Sequence, residues 1–417
     1  MTLWMFLGIV RRSYYLTRKN KRYGTDQMEF EADYASSLLR FAIKLWTRIF
    51  RILLNYAFLT SIPKWREIFA TLFDGRMADH MLCDPLVPYM ERELSERTYN
   101  NRKDKGSQAA INQVIEDVYE VTQGFTKPAR IIKHDIQGFF PSALWDEMYR
   151  CYKELIDKYK EEIKTEYGEG YPEFLQWLAM ICIYCRPTEH CVLRTPTHFW
   201  YQKIARDKSI FASKDDGRGA PIGRLSSQHG MGMYINDIII WLESLGFKVV
   251  CFVDDIILVV PEELHELALE ITPILREKLA AKGLHLNENK FYDQPYEHGV
   301  EFLGSHIKPN RIHLNDKTVR RCIDRVKELN SVSKEKQDII LESCQASINS
   351  YTGMLKNRNG YKDIQILKKE VMRKWGDKLE WNQRKLCVNC LPGYRHKDIL
   401  AKRYGSRKRN RLMEMKT

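Results

Sequence analysis

The sequence predicts an α+β fold with an antiparallel sheet, and three observations carry that expectation. A chain of 417 residues with 44% hydrophobic content has enough apolar surface for two or three cored domains. Apolar runs of strand length stand at residues 130–137 and on both sides of Val253-Asp254-Asp255, the second pair reading as a hairpin. Longer segments of helical periodicity lie around them, so strands and helices are segregated rather than alternating as βαβ units.

In chain order, residues 1–60 read as mainly helical, and Ser61 to Pro63 marks a break. The apolar run Leu3 to Val10 is too short to cross a bilayer. Tyr34 to Leu59 is rich in Leu, Ile and Phe. Arg40, Lys44, Arg48 and Arg51 interrupt it at helical spacing, predicting an amphipathic helix with a basic stripe. A short extended piece around Ile68-Phe69 precedes helices through Glu91 and from Ala109 to Val121. After the strand at 130–137, long helices run to about Tyr167, and the stretch to Pro196 reads as irregular. Residues 228–245 are helical, the hairpin follows, and Leu264 to Lys282 forms a helix closed by Gly283. Short strands near Leu284 to Leu286 and Val300 to Leu303 lead into a mainly helical remainder.

Lys plus Arg (67) exceed Asp plus Glu (54), a net charge of +13. The excess sits at the ends: residues 1–22 hold six basic and no acidic residues, and residues 395–417 hold nine basic and two acidic. Basic arms on a balanced body suit a partner with a phosphate backbone. The ten cysteines show no secreted framework and no signal peptide is visible, which predicts a cytoplasmic protein with no membrane partner. Cys182 and Cys185 with His190 and Cys191, and Cys387 with Cys390, have zinc-like spacing. The first group begins in a helical stretch, and the second offers only two ligands.

Phe252-Val253-Asp254-Asp255 sets two carboxylates at a hairpin tip, where they are costly unless a cation compensates them. Alone, such a pair is more often a plain turn. Ile131 to Phe140 is an apolar strand ending in Asp135 and then Phe139-Phe140. Two-metal phosphoryl transfer needs carboxylates from separate strands, which makes Asp135 the partner of Asp254. Strand alternation is expected to turn Asp255 away into a supporting role. Gly219 to Gln228, with Pro221, Ile222 and Gly223, would let backbone approach a flat ligand such as a base pair or an incoming nucleotide. Gly283 to Lys290 offers Lys290 as a general acid, and Phe302 to Gly304 reads as a tight turn able to press on a primer.

In this order and spacing the segments resemble the palm motifs of reverse transcriptases. Asp135 falls in the first, Pro221 to Gln228 in the second and Phe252 to Asp255 in the third; Leu284 to Lys290 and Phe302 to Gly304 resemble the fourth and fifth. Upstream, Lys64 to Ile68 resembles the fingers segment whose arginine grips the triphosphate. Phe73 to His80, with Arg76, and Tyr99 to Gly106, with Arg102 and Lys105, resemble the segments that follow it. Ile222 to Gln228, the stretch from Arg186 to Phe211 and Ala346 to Lys356 are similar to bacterial diversity-generating retroelements and related antiphage defence enzymes. His229 to Met233 and Phe252 depart from the family pattern.

The resemblance implies a right-hand polymerase: a helical N-terminal extension (1–60), fingers (61–130), a palm (131–310, with an insertion around 150–218), a helical thumb (311–392) and a basic tail (393–417). It implies a nucleotidyltransferase, an RNA-directed DNA polymerase. Such an enzyme would copy a dedicated structured noncoding RNA into cDNA from dNTPs, with two Mg²⁺ ions and Mn²⁺ as a substitute. The setting would be antiphage defence or a diversity-generating retroelement, with an accessory protein among the expected partners; no oligomeric state is implied. Asp135, Asp254 and Asp255 are the implied metal ligands, and Lys290 joins them as catalytic. Arg66, Arg102, Lys105, Phe140, Ile222 and Gln228 are implied dNTP contacts, with Phe140 excluding a 2′-hydroxyl and aliphatic Ile222 lowering fidelity. Lys64, Arg76, Phe302, Gly304, Arg407, Lys408 and Arg409 are implied nucleic-acid contacts. Two other readings stand beside this one: protein-primed or template-independent DNA synthesis in phage defence, and a non-catalytic RNA-binding polymerase relic. Intact Asp135, Asp254 and Asp255 speak against the relic.

Overall fold

A computed structural model describes residues 2–19, 24–52, 54–61, 64–213, 217–392 and 394, and its helices and antiparallel sheets make the fold α+β. The chain divides into two compact units, Met1–Gln294 and Pro295–Thr417. Pro63 of the expected break and the tail residues Arg407, Lys408 and Arg409 lie outside the described residues.

The first unit opens with helices α1 (Leu3–Arg18), α2 (Thr25–Ala32) and α3 (Tyr34–Trp46), then strands β1 (Asn55–Thr60) and β2 (Arg66–Thr71). Helices α4 (Phe73–Glu93) and α5 (Ser107–Val121) lead to β3 (Ala129–Gln137). There follow α6 (Phe139–Ser142), α7 (Trp145–Lys158), α8 (Lys160–Tyr167), α9 (Tyr171–Ile183), β4 (Cys191–Leu193) and α10 (Thr197–Lys203). Helices α11 (Leu225–Tyr234) and α12 (Asn236–Ser244) precede the hairpin of β5 (Lys248–Phe252) and β6 (Asp255–Pro261). Helix α13 (His265–Ala281) and strands β7 (His285–Leu286) and β8 (Tyr292–Pro295) complete the series.

The larger sheet runs β5-β6-β3-β7, with β8 also pairing β3. Ile256 to Val260 of β6 are all buried, which explains why that strand reads as an unbroken apolar run rather than an alternating one. Ile132 and Ile136 of β3 face the main core, leaving Lys133 and Asp135 on the other face. A smaller sheet runs β2-β1-β4, in which β1 is antiparallel to β2 and parallel to β4.

Two expectations for the N-terminal region are corrected. Asn55 to Thr60 is a strand, because a short apolar run has no periodicity to separate a buried strand from a helix, and pairing with β2 decides. Helix α3 stops at Trp46 and Arg48 takes φ +60°, so the basic stripe is broken. The Arg48 guanidinium lies over the rings of Phe174 and Trp177, 4.9 and 5.0 Å from their centroids. Arg51 donates to the Phe50 carbonyl.

In the second unit, β9 (Val300–Phe302), β10 (Ser305–Lys308) and β11 (Arg311–Leu314) form an antiparallel sheet ordered β11-β10-β9. Helices α14 (Asp316–Asn330), α15 (Lys334–Lys356) and α16 (Tyr361–Trp375) bury Val326, Leu341, Ile348, Leu367 and Trp375 together. A closing hairpin, β12 (Leu379–Asn382) and β13 (Cys387–Cys390), interrupts what read as helical. Cys387 and Cys390 are three apart on one strand and point to opposite faces, and Cys390 Sγ donates to Gln345 Oε1 at 3.0 Å. All ten cysteines are free, and among the described residues no three His, Cys, Asp or Glu side chains gather to hold a metal, so neither zinc-like spacing forms a site.

Candidate active site

Phe252 pairs with Asp255, so β5 and β6 are joined by the two-residue turn Val253-Asp254. Of the two only Val253 has a positive φ, +59°, the pattern of a type II′ turn and ordinarily a glycine's place. A β-branched residue there is strained. Asn100 holds it, its Oδ1 accepting from the Val253 N–H at 3.2 Å, and the Ile136 N–H donates to the Asp254 carbonyl at 2.8 Å. Asp135 therefore stands directly across from Asp255, and cross-strand partners share a face. Unbroken strand alternation through Asp254 would turn Asp255 away. Asp254 lies in the turn instead, and the count begins again at Asp255.

Lys290 Nζ donates to Asp135 Oδ1 at 2.6 Å, Asn287 Nδ2 donates to Oδ2 at 3.2 Å, and Lys133 Nζ lies 2.9 Å from Asp255 Oδ1. Among the described residues Asp254 has no ion pair, so three carboxylates share two ammonium groups. Burial pushes the Asp255 carboxyl above the usual range, Asp254 and Asp135 add repulsion, and Lys133 opposes them. Burial works against the Lys290 ammonium, but the bond to Asp135 and the fields of Asp254 and Asp255 outweigh it and raise its pKa.

The segment 219–228 is clamped to the helical turn α6 that follows β3 and to β2. The Gly219 N–H donates to the Ala143 carbonyl and the Ala220 N–H to the Phe140 carbonyl, both at 2.8 Å; the Phe69 N–H of β2 donates to the Ile222 carbonyl at 3.1 Å. Gly223 has φ +112°, and a Cβ there would stand 3.3 Å from Ile68 Cγ2 and 3.4 Å from the Phe69 carbonyl oxygen, so the close approach requires glycine. Phe140 is half-buried edge-on to Phe139, with ring centroids 5.7 Å apart. Arg66 is exposed and shares with Ile68 the β2 face that meets Gly223. Asn101 Nδ2 donates to the Gln228 carbonyl at 3.1 Å.

Just before α11, the Arg224 guanidinium is fully buried against Asp79, Nη2 to Oδ1 2.8 Å, and donates to the Cys182 carbonyl at 2.7 Å. Ser226 Oγ adds a bond to the same Asp79 oxygen at 2.7 Å. This knot fixes the entry to α11, and with it the backbone that presents Ile222.

Other implied contacts have different duties. Arg102 has a side chain 3% exposed, its Nε bonded to Glu91 Oε2 at 2.8 Å and its Nη1 to the Ser95 and Thr98 carbonyls at 2.6 and 3.2 Å. Lys105 Nζ is 2.6 Å from Glu96 Oε2 and lies over the Tyr99 ring. Both hold the 91–105 segment together rather than presenting charge to a nucleotide. Arg76 is bound to Asp26 at 2.9 Å and to the Thr71 carbonyl, tying α4 to α2, while Lys64 is exposed. In the second unit Leu303 (φ +49°) and Gly304 (φ +75°) form the tight hairpin turn between β9 and β10. Phe302 beside it is 1% exposed, a core residue rather than a surface for a primer.

Hard carboxylate oxygens suit Mg²⁺ or Mn²⁺, and the carboxylate without a lysine leaves negative charge for a cation to meet. Asp135 and Asp255 are each turned to a lysine, and the three carboxylates do not converge on one point. No family model and no curated protein matches the chain. Among solved structures it is similar to telomerase from Candida albicans in complex with a TWJ fragment of telomeric RNA, at 13% identity and a TM-score of 0.46, over 84% of this chain and 59% of that one. It is also similar to apo telomerase from Candida tropicalis, at 11% identity and a TM-score of 0.46, over 78% of this chain and 60% of that one. The chain thus spans about three-fifths of the length of these telomerase chains.

Proposed function

We propose that the chain is an RNA-directed DNA polymerase of right-hand architecture, with its nucleotidyl-transfer site in the first unit. The observation that carries this reading is the cross-strand pairing of Asp135 on β3 with Asp255 on β6, next to the turn that holds Asp254. Asp135, Asp254 and Asp255 would hold two Mg²⁺ ions, or Mn²⁺ in their place, whose chemistry is Lewis-acid stabilisation of the transferring phosphoryl group. Lys290, 54% exposed at its side chain, would give a proton to departing pyrophosphate. Phe140 walls the sugar, Ile222 and Gln228 border the base pair, and Arg66 meets the triphosphate. The template is a dedicated structured noncoding RNA and the product its cDNA, in antiphage defence or a diversity-generating retroelement, with an accessory protein alongside.

Primer extension on an RNA template with dNTPs tests the reading. Wild type extends the primer and Asp254→Ala/Asp255→Ala does not; full activity in the double variant defeats it. A non-catalytic RNA-binding role draws support from Lys133 and Lys290, which neutralise two of the carboxylates without a metal. Wild type that binds RNA tightly and extends nothing would favour that reading.

A further inference from the structure

Arg102 and Lys105 are committed to Glu91 and Glu96, which leaves the phosphates of a nucleotide short of cations. Another loop supplies them. Residues 206–212, within the long insertion after β3, are docked at three points around the site. Glu67, the neighbour of Arg66 on β2, is 5% exposed and accepts from Ser209 Oγ and, at 2.8 Å, from the Ile210 N–H. Gln137, two residues after Asp135, donates from Nε2 to Asp207 Oδ2 at 2.8 Å. A Cβ placed on Gly219 would stand 3.0 Å from Ile210 Cγ1, so the loop also abuts the clamped segment.

These anchors fix the position of Lys208 between them. A Cβ on Gly138 would lie 3.6 Å from the Asp207 carbonyl oxygen and 3.8 Å from Lys208 Cγ, so Lys208 leaves the loop against the turn that joins Asp135 to Phe140. Lys208 is exposed and, among the described residues, has no ion pair. A long, unpaired cation held by a buried carboxylate clamp beside the catalytic strand is equipped to meet phosphate.

We propose that Lys208 contacts the phosphates of the incoming nucleoside triphosphate, and that Glu67 is the positioning residue that holds its loop. The inference rests on the polymerase reading and extends it to a cation from the insertion. Phosphates of a primer or template strand are the competing occupant, and the test separates the two.

The full-length protein is assayed for dTTP addition to an oligo(dT) primer on poly(rA), for primer–template affinity, and for equilibrium binding of dTTP with Mg²⁺. Lys208→Ala raises KM and the dissociation constant for dTTP about tenfold, Lys208→Glu raises them further, and Lys208→Arg restores most of the loss. Primer–template affinity and melting temperature stay at wild-type values, since Lys208 is exposed. Glu67→Ala raises KM for dTTP in the same direction. Unchanged dTTP binding in Lys208→Glu, or a loss confined to primer–template affinity, overturns the proposal. Wild type that adds no nucleotide defeats the polymerase reading instead, and dTTP binding still decides on Lys208; no dTTP binding by wild type overturns both.

Discussion

Asp79→Ala should be among the most damaging single changes outside the carboxylate cluster. Asp79 and Arg224 have side chains 2% and 1% exposed, and Asp79 accepts from Arg224 and Ser226. Removing the carboxylate strands a guanidinium that cannot shed its charge, because arginine stays protonated. Breaking a buried pair in this way costs about 3–5 kcal/mol, and the orphaned Ser226 hydroxyl adds about 1 kcal/mol. At about 2 °C per kcal/mol for a unit of this size, melting falls by about 8–12 °C. The cost comes from the uncompensated charge rather than from lost attraction. Asp79→Ala/Arg224→Met should therefore recover most of the loss, since a buried pair and an apolar replacement differ little in stability. Thermal unfolding of the two single variants and the double closes the cycle. A drop below about 1 kcal/mol for Asp79→Ala, or a double variant no better than that single one, refutes the reasoning.

Arg102→Ala should lower stability by about 2–3 kcal/mol, less than the Asp79 change because Glu91 and Glu96 keep solvent; its KM for dTTP should stay at the wild-type value, and a selective rise would return Arg102 to the nucleotide. Burial pushes the Glu67 carboxyl above its ordinary 4.5, against the bonds from Ser209 and the backbone of Ile210 and Phe211. An acid so raised holds its proton more tightly when folded, so its stabilisation is full below pH 4.5 and is lost as pH rises through the folded value. Melting curves of wild type should therefore fall progressively below those of Glu67→Gln above that pH, and parallel curves contradict the sign. Phe140→Ala should reduce the preference for dTTP over UTP by about tenfold or more in kcat/KM, and an unchanged preference removes Phe140 as the sugar wall.

What the sequence discloses follows the range of the forces involved. The β5–β6 hairpin and β3 are written locally, as apolar runs ended by turn residues, and they stand where periodicity puts them. Lys133 was passed over in the sequence, although its place two residues before Asp135 on one strand sets both on one face. The duties of Arg102 and Lys105 were not legible, because a basic residue near a motif reads the same whether its anionic partner is a nucleotide phosphate or the Glu91 carboxylate. Asp79 and Arg224 are 145 residues apart, and no local pattern marks a buried charge as paired. The strand at Asn55 to Thr60 was lost for the opposite reason: its six residues are apolar enough for either element, and only β2 and β4 decide between them.

That small sheet also sets an order for making the protein. The β1 edge that receives β4 must wait, since Asn55 pairs with Cys191 and the Leu59 N–H finds its acceptor, Thr195 Oγ1, 136 residues downstream. At a synthesis rate of about 5–20 residues per second, that edge emerges roughly 7–27 s before its partner exists. During that interval β1 has only β2 to pair with, and its unpaired flank is the kind of edge on which neighbouring nascent chains pair wrongly. Slower elongation through the helices from Trp145 to Ile183 lengthens the exposure, so yield of folded protein should depend on how quickly that stretch is translated.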